Sequence, residues 1–194
     1  MVPITVRGFL ILCQVPHVAP PTAAILGLLS EICDSVSMDV TPARVSNDHR
    51  EFLKILDWRI GNIHTTDSTD EMLQLAALIY LSRISGSLLN QPLKIEQRIH
   101  RAFSTLSHLR LCERQFPIFI VGCEARTDDQ RAIILDLISR TEGNTASRSF
   151  GHTKLLLEAI WAQDDLIEGQ HEGLRYCDKL SSTMSRCKVP PSFA

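Results

Sequence analysis

No Cys-x-x-Cys occurs in this sequence, and no apolar run approaches the ~18 residues that a bilayer crossing needs. Zinc-finger spacing and a membrane-spanning helix are thereby excluded from the reading. Six cysteines stand at positions 13, 33, 112, 123, 177 and 187, separated by long and irregular gaps. They do not read as a disulfide framework, because most fall inside apolar helical patterns of a chain large enough to build its own core. Buried thiols in a reducing compartment are the expectation. A basic excess is missing too. The formal net charge is −2, so the chain offers no polybasic surface, and any basic element that reads nucleic acid lies elsewhere or in another chain.

Other signatures are equally absent. The nine glycines are scattered and build no phosphate-cradling loop. There is no His-Glu-x-x-His and no Asp/Asn-rich calcium loop. His100 and His108 are eight residues apart, about 12 Å along a helix, too far to share one ion. The first residues, "MVPITVRGFLILCQVPHVAPP", carry one arginine and a short apolar core, a poor imitation of a signal peptide. An irregular, buried or frayed N-terminal segment over 1–20 is expected instead.

What the sequence does contain is helical periodicity. Its 194 residues suit one domain, which at this size buries roughly 70% of the surface of the unfolded chain. Ile25, Leu28, Leu29, Ile32 and Val36 fall on one helix face. After a linker, Asp48 and Glu51 mark another start, with Phe52, Ile55, Leu56 and Ile63 sharing a face and Gly61 near its end. "STDEMLQLAALIYLSRISG" opens with Ser68 and Glu71 at capping-box spacing, then turns apolar around nearly its whole circumference. Such a helix is buried on most sides, which predicts a central position. Pro92 suits the first turn of the next helix, whose stripe is Ile95, Ile99, Ala102, Phe103, Leu106 and Leu109. Further helices are expected around Leu155, Leu156, Ala159 and Ile160, with Trp161 beside them, and more weakly over 173–185, carrying Leu174, Cys177 and Met184. With seven or so helices, no repeat and no low-complexity tract, the predicted fold class is all-α.

The stretch "FPIFIVGCEARTDDQ", residues 116–130, poses the sharpest question. Its apolar half has strand propensity, and Gly122-Cys123 could stand on a strand-to-helix turn as a nucleophile would. No partner strand is visible, however, and a lone strand leaves its backbone groups unpaired. A nucleophile elbow also wants glycine on both sides, and Ala125 replaces the second. The favoured reading is a short buried helix with Pro117 in its first turn, followed by a helix–helix corner at Gly122 and Cys123. Thr127 and Gln130 stand at capping-box positions for the next helix, with Asp128 and Asp129 at its positive end and Ile133, Ile134, Leu137 and Ile138 as its core face. Asp164-Asp165 reads likewise as a pair of helix-end charges.

Three phrases, "LQLAALIYLSRISG", "FPIFIVGCEARTDDQRAIILDLI" and "LLLEAIWAQDD", occur in this order. Together they resemble the regulatory domain of fungal-specific transcription factors, the all-helical region that follows a binuclear zinc cluster. The central phrase is the specific one. Phe116, Pro117, Gly122, Cys123, Glu124, Ala125, Asp128, Asp129 and Arg131 match the family's pattern, and Trp161 followed by Asp164 resembles a later helix. Phe116 stands where the family more often has tryptophan. The resemblance covers 21–165 and extends loosely to the C-terminus.

The resemblance implies a domain over 21–194 that modulates RNA polymerase II transcription in the nucleus. Its partners would be proteins of the transcription machinery or a second copy of itself, with a small-molecule effector as a further ligand class. It implies no enzyme activity, no cofactor and no metal for these residues. The zinc cluster's six closely spaced cysteines among lysines and arginines are not present here, so direct DNA binding by this chain is not expected. A helical enzyme or ligand-binding protein unrelated to transcription is the alternative, and a closed pocket lined by histidine and carboxylate groups would favour it.

Overall fold

The computed structural model describes residues 20–37, 47–89, 91–144 and 149–167. The segment before Pro20 and the helix expected over 173–185 lie outside them. The described residues form seven α-helices and no strand, so the all-α expectation holds. In chain order these are α1 (Pro21–Ser37), α2 (Asn47–Gly61), α3 (Ser68–Ile84), α4 (Pro92–His108), α5 (Gln115–Gly122), α6 (Asp128–Asn144) and α7 (Ser149–Ile167).

Helix α3 is the centre. It touches α1, α2, α4 and α5. Its residues divide between two cores. Met72, Leu75, Ala76 and Ile79 pack with α4–α7, while Leu73, Ala77, Leu78 and Leu81 pack with α1 and α2. Each large side chain buried here contributes about 1.5–3 kcal/mol, which explains why an all-round apolar helix is stable only in the middle. Its start differs by one residue from the sequence reading. Asp67, not Ser68, is the N-cap, and its carboxylate accepts from the Thr69 and Asp70 amides at 2.8 and 2.7 Å. An ionised acceptor facing the positive helix end outcompetes a hydroxyl. Beyond the C-cap residue Ser85, Gly86 takes a left-handed φ of 54°, the usual glycine exit from a helix.

The face of α2 also departs from expectation. Leu53, Leu56 and Ile60 are buried, whereas Phe52 and Ile55 point outward. The arc that faces α3 instead includes Asp57, which is 5% exposed. Across it, Arg98 and Lys94 of α4 each reach an Asp57 carboxylate oxygen at 2.6 Å. Arg98 also donates to the Ser82 hydroxyl of α3 at 3.2 Å. This cluster joins the two cores through charge rather than apolar packing. Gln74 adds a second polar tie at the C-terminal end of α2 by donating to the Ile60 and Ile63 carbonyls at 2.7 and 2.8 Å.

In α1, Ile25, Leu28 and Ile32 are buried and Leu29 is half-buried as read, while the side chain of Val36 lies outside those described. The α4 stripe is buried throughout. On α7 the buried residues are Phe150, Thr153, Leu156, Leu157, Ile160 and Trp161, and the expected core residues Leu155 and Ala159 are not among them; both are exposed.

Removing Asp57 would leave the Arg98 guanidinium buried without its counter-charge. Asp57→Ala should therefore cost about 3–5 kcal/mol in a urea melt. The double change Asp57→Leu with Arg98→Met, which removes both charges, should recover most of that loss. A double variant as unstable as the single one would show that the cluster does not act as an ion pair.

Candidate functional site

Residues 116–131 and α7 meet at one corner. Gln115–Gly122 is helical, with Pro117 in the first turn, and every residue of the helix except the half-buried Phe116 is buried. The apolar run forms a helix because its backbone bonds close within the segment, leaving side chains free to be covered on all sides. At the end, the Cys123 amide donates to the Phe119 carbonyl (3.0 Å), Glu124 to Val121 (3.0 Å) and Ala125 to Gly122 (3.1 Å). The tightened turn redirects the chain towards α6. There Thr127 and Gln130 form the reciprocal cap: the Gln130 amide donates to the Thr127 hydroxyl at 3.3 Å, and the Gln130 side-chain oxygen accepts from the Arg126 and Thr127 amides at 2.8 and 3.3 Å.

Gly122 stands at closest approach to α7. A Cβ placed on it would lie 2.7 Å from both methyl carbons of Leu157, itself fully buried. Its carbonyl accepts twice, from the Ala125 amide and from the Trp161 indole Nε1 at 2.8 Å. Trp161 is 5% exposed, so this bond satisfies a polar atom with little access to water. The outer face of the indole carries the Arg131 guanidinium, 5.6 Å from the ring centroid. Arg131 continues to Asp165, donating from both terminal nitrogens at 3.0 and 2.6 Å, and that contact holds the Asp165 carboxyl below the usual range.

Two further contacts tie the corner to α3. Glu124 accepts a bidentate pair from Arg83, at 2.7 and 2.5 Å, and is itself buried. Phe116, half-buried, meets the Tyr80 ring edge-on with centroids 5.8 Å apart. Ala125 is buried, Cys123 is half-buried, and Asp128 and Asp129 are exposed in the first turn of α6. Asp128 lies 3.7 Å from Arg131. The structure thus brings together Phe116, Gly122, Glu124, Arg131 and Trp161 with three partners that sequence reasoning did not single out: Tyr80, Arg83 and Leu157. Helix periodicity placed the first two on α3 but carried no sign of which corner they would meet. Asp165, rather than the neighbouring Asp164, is the acidic partner of Arg131. A carboxylate near the negative end of α7 is unfavourable by itself, and Arg131 offsets that.

The contacts at the corner are apolar packing, hydrogen bonds and ion pairs. His64, in the loop before α3, His100 and His108 on α4, and His152 on α7 are all exposed. Among the described residues no group of three or more His, Cys, Asp or Glu could hold a metal ion. Cys33, Cys112 and Cys123 carry no disulfide; Cys33 is exposed, contrary to the expectation of buried thiols. Burial pushes the Cys112 thiol up to about 11, which disfavours the reactive thiolate. A surface groove of about 550 Å³ lies apart from the corner, lined by Thr69, Leu109, Arg110, Leu111, Arg140 and Asn144.

The corner geometry orders a set of substitutions. Cys123→Ala should cost little, on the order of 1 kcal/mol, because one sulfur is lost at a half-buried position. Gly122→Leu should cost roughly 1–3 kcal/mol or more, since the added side chain drives into Leu157. Trp161→Phe should cost about 1 kcal/mol through the lost indole bond. Thermal melts of the three variants check the order, and a nucleophilic Cys123 would give the reverse: lost activity with an unchanged melting temperature.

The chain matches the fungal specific transcription factor domain over residues 24–189. It is 45% identical over 183 residues to transcription factor iacI of Pestalotiopsis fici, an alignment covering 90% of this chain and 47% of that protein. The chain therefore spans about half the length of that curated relative. No solved structure matches it. Among the described residues no helix is long and apolar enough to cross a membrane. With a family match over most of its length and a transcription factor as a relative, the chain belongs to the fungal-specific transcription factor domain family.

Proposed function

We propose that residues 21–194 form a regulatory domain that acts through protein contacts, in the nucleus, on RNA polymerase II transcription, and that this chain neither reads DNA nor catalyses a reaction. The observation that carries the protein-contact reading is the outer face of α2. Phe52, Ile55 and Trp58 are 37%, 53% and 67% exposed, on a helix whose opposite face is already buried against the rest of the domain. Three large apolar side chains at i, i+3 and i+6 make a compact patch, and an exposed tryptophan is the residue type that most often anchors a protein interface. Around it lie the ion pairs Lys54–Glu51 and Arg59–Glu31, a charged rim of mixed sign. A patch of this kind suits a protein of the transcription machinery or a second copy of the chain. The shallow groove near Arg110 and Arg140 is the place for a small effector, if one is part of the output.

The absence of DNA reading rests on charge. A net charge of −2 gives no field to attract phosphates, and the sequence has no zinc cluster or basic arm.

Fusing the chain to an unrelated DNA-binding domain tests the proposal on a reporter gene. Ile55→Asp with Trp58→Ala should change reporter output several-fold while leaving the melting temperature within a few degrees of the parent, because neither side chain belongs to the core. Unchanged output would remove α2 as the contact face. Fluorescence titration of the isolated chain at physiological salt should show no preference between DNA sequences. Sub-micromolar binding to one sequence over a scrambled control would overturn the no-DNA reading.

A further inference from the structure

The outer face of α2 is complementary to itself. Ile55 stands at the centre of its exposed row, with Phe52 before it and Trp58 after it, each about 4.5 Å away along the helix axis. One residue further out on either side stand opposite charges, Glu51 before and Arg59 after. All of these side chains are exposed, while Leu53, Leu56, Asp57 and Ile60 fill the opposite face of the helix. From one end to the other the face reads acid, aromatic, aliphatic, aromatic, base.

That order suits an antiparallel copy of the same helix. With a two-fold axis at Ile55, Ile55 meets itself, Phe52 lies level with Trp58 of the other copy, and Glu51 lies level with its Arg59. A two-fold contact makes each unlike pairing twice, so both ends of the seam carry an acid opposite a base. A parallel pair would instead set Glu51 level with Glu51 and Arg59 level with Arg59, like charges that oppose association. Within one copy Glu51 pairs with Lys54 and Arg59 with Glu31, each at 2.7 Å. These four side chains are 40% to 62% exposed, and exposed ion pairs contribute little, so sharing them across a contact costs little.

We infer that α2 is a self-association surface, on which two copies of the chain pair antiparallel through Phe52, Ile55 and Trp58, with Glu51–Arg59 ion pairs between copies at both ends. The inference rests on the reading of this face as a protein-contact surface and names its partner. Trp58, 67% exposed in the single chain, is the side chain with most to gain from cover. Three apolar side chains make a small centre against the roughly 800 Å² per partner of a standard interface, so the dimer is weak and forms with rising concentration.

Charge exchange in the full chain tests the pairing by analytical ultracentrifugation under reducing conditions. The parent should pass from monomer to dimer between about 5 and 500 μM. Glu51→Arg and Arg59→Glu each put like charges at both ends of the seam, and each should raise the dimer Kd about tenfold or more. An equal mixture of these two variants brings opposite charges together again and should form a heterodimer with a Kd within about threefold of the parent's. The chain carrying both changes should recover the homodimer to the same degree. All variants should melt within a few degrees of the parent, because the exchanged side chains lie outside the core. A parent that stays monomeric at 500 μM, single variants that dimerise as well as the parent, or a mixture no tighter than its components would each overturn the inference. The reporter experiment on Ile55→Asp with Trp58→Ala separates this from the reading beneath it. Output that changes although the parent is monomeric would keep α2 as a contact face and reject only the second copy as its partner.

Discussion

The two-sided burial of α3 is the constraint on which the rest of the structure depends. A helix that is apolar around nearly its whole circumference cannot lie on a surface, so it demands cover from both directions. The chain supplies that cover in two blocks. Helices α1 and α2, which precede α3, close over Leu73, Ala77, Leu78 and Leu81, and the helices after it close over Met72, Leu75, Ala76 and Ile79. Two cores sharing one wall result. The Asp57–Arg98–Lys94 cluster and the Gln74 contacts then tie the blocks together at points where apolar packing alone would allow sliding. Such polar ties are directional, so they select one arrangement of helices among several of similar buried area.

The Gly-Cys-Glu-Ala corner works by the same logic on a smaller scale. Gly122 lets α5 and α7 approach, and the Trp161 bond to its carbonyl holds them at that distance. Glu124 returns the corner to α3 through Arg83, and Arg131 covers the indole from the α6 side. Four helices meet there, and each contact uses a different kind of interaction. A motif of this composition can be tightly specified without performing any reaction, because size, an acceptor and a charge are all required within a few residues.

The surface divides in a way that bears on regulation. Among the described residues, two rows of exposed apolar side chains are Phe52, Ile55 and Trp58 on α2 and Leu155, Ala159, Ala162 and Leu166 on α7. These belong to opposite blocks of the fold, with α3 between them. One is bulky and aromatic, suited to anchoring in a partner's pocket. The other is small in its middle, with leucine only at its two ends.

Local chemistry along the sequence determined much of this protein. The apolar circumference of α3, the α4 stripe, Pro92 at a helix start and the Thr127–Gln130 cap are all decided within one or two turns, and each was legible there. The helical state of 116–121 was legible only by elimination, since no second strand existed to pair with it. Tertiary structure alone decided which arc of a broadly apolar helix faces inward. On α2 the candidates spanned from Phe52 to Ile63, and the position of α3 selected Leu53, Leu56 and Ile60 together with a charged Asp57 whose partners lie almost forty residues away. On α7 it selected Leu157 and Trp161 over Leu155 and Ala159, because Leu157 packs on Gly122 and Trp161 bonds to its carbonyl. Periodicity reports that a helix has an apolar face; the neighbour that arrives determines which residues that face contains.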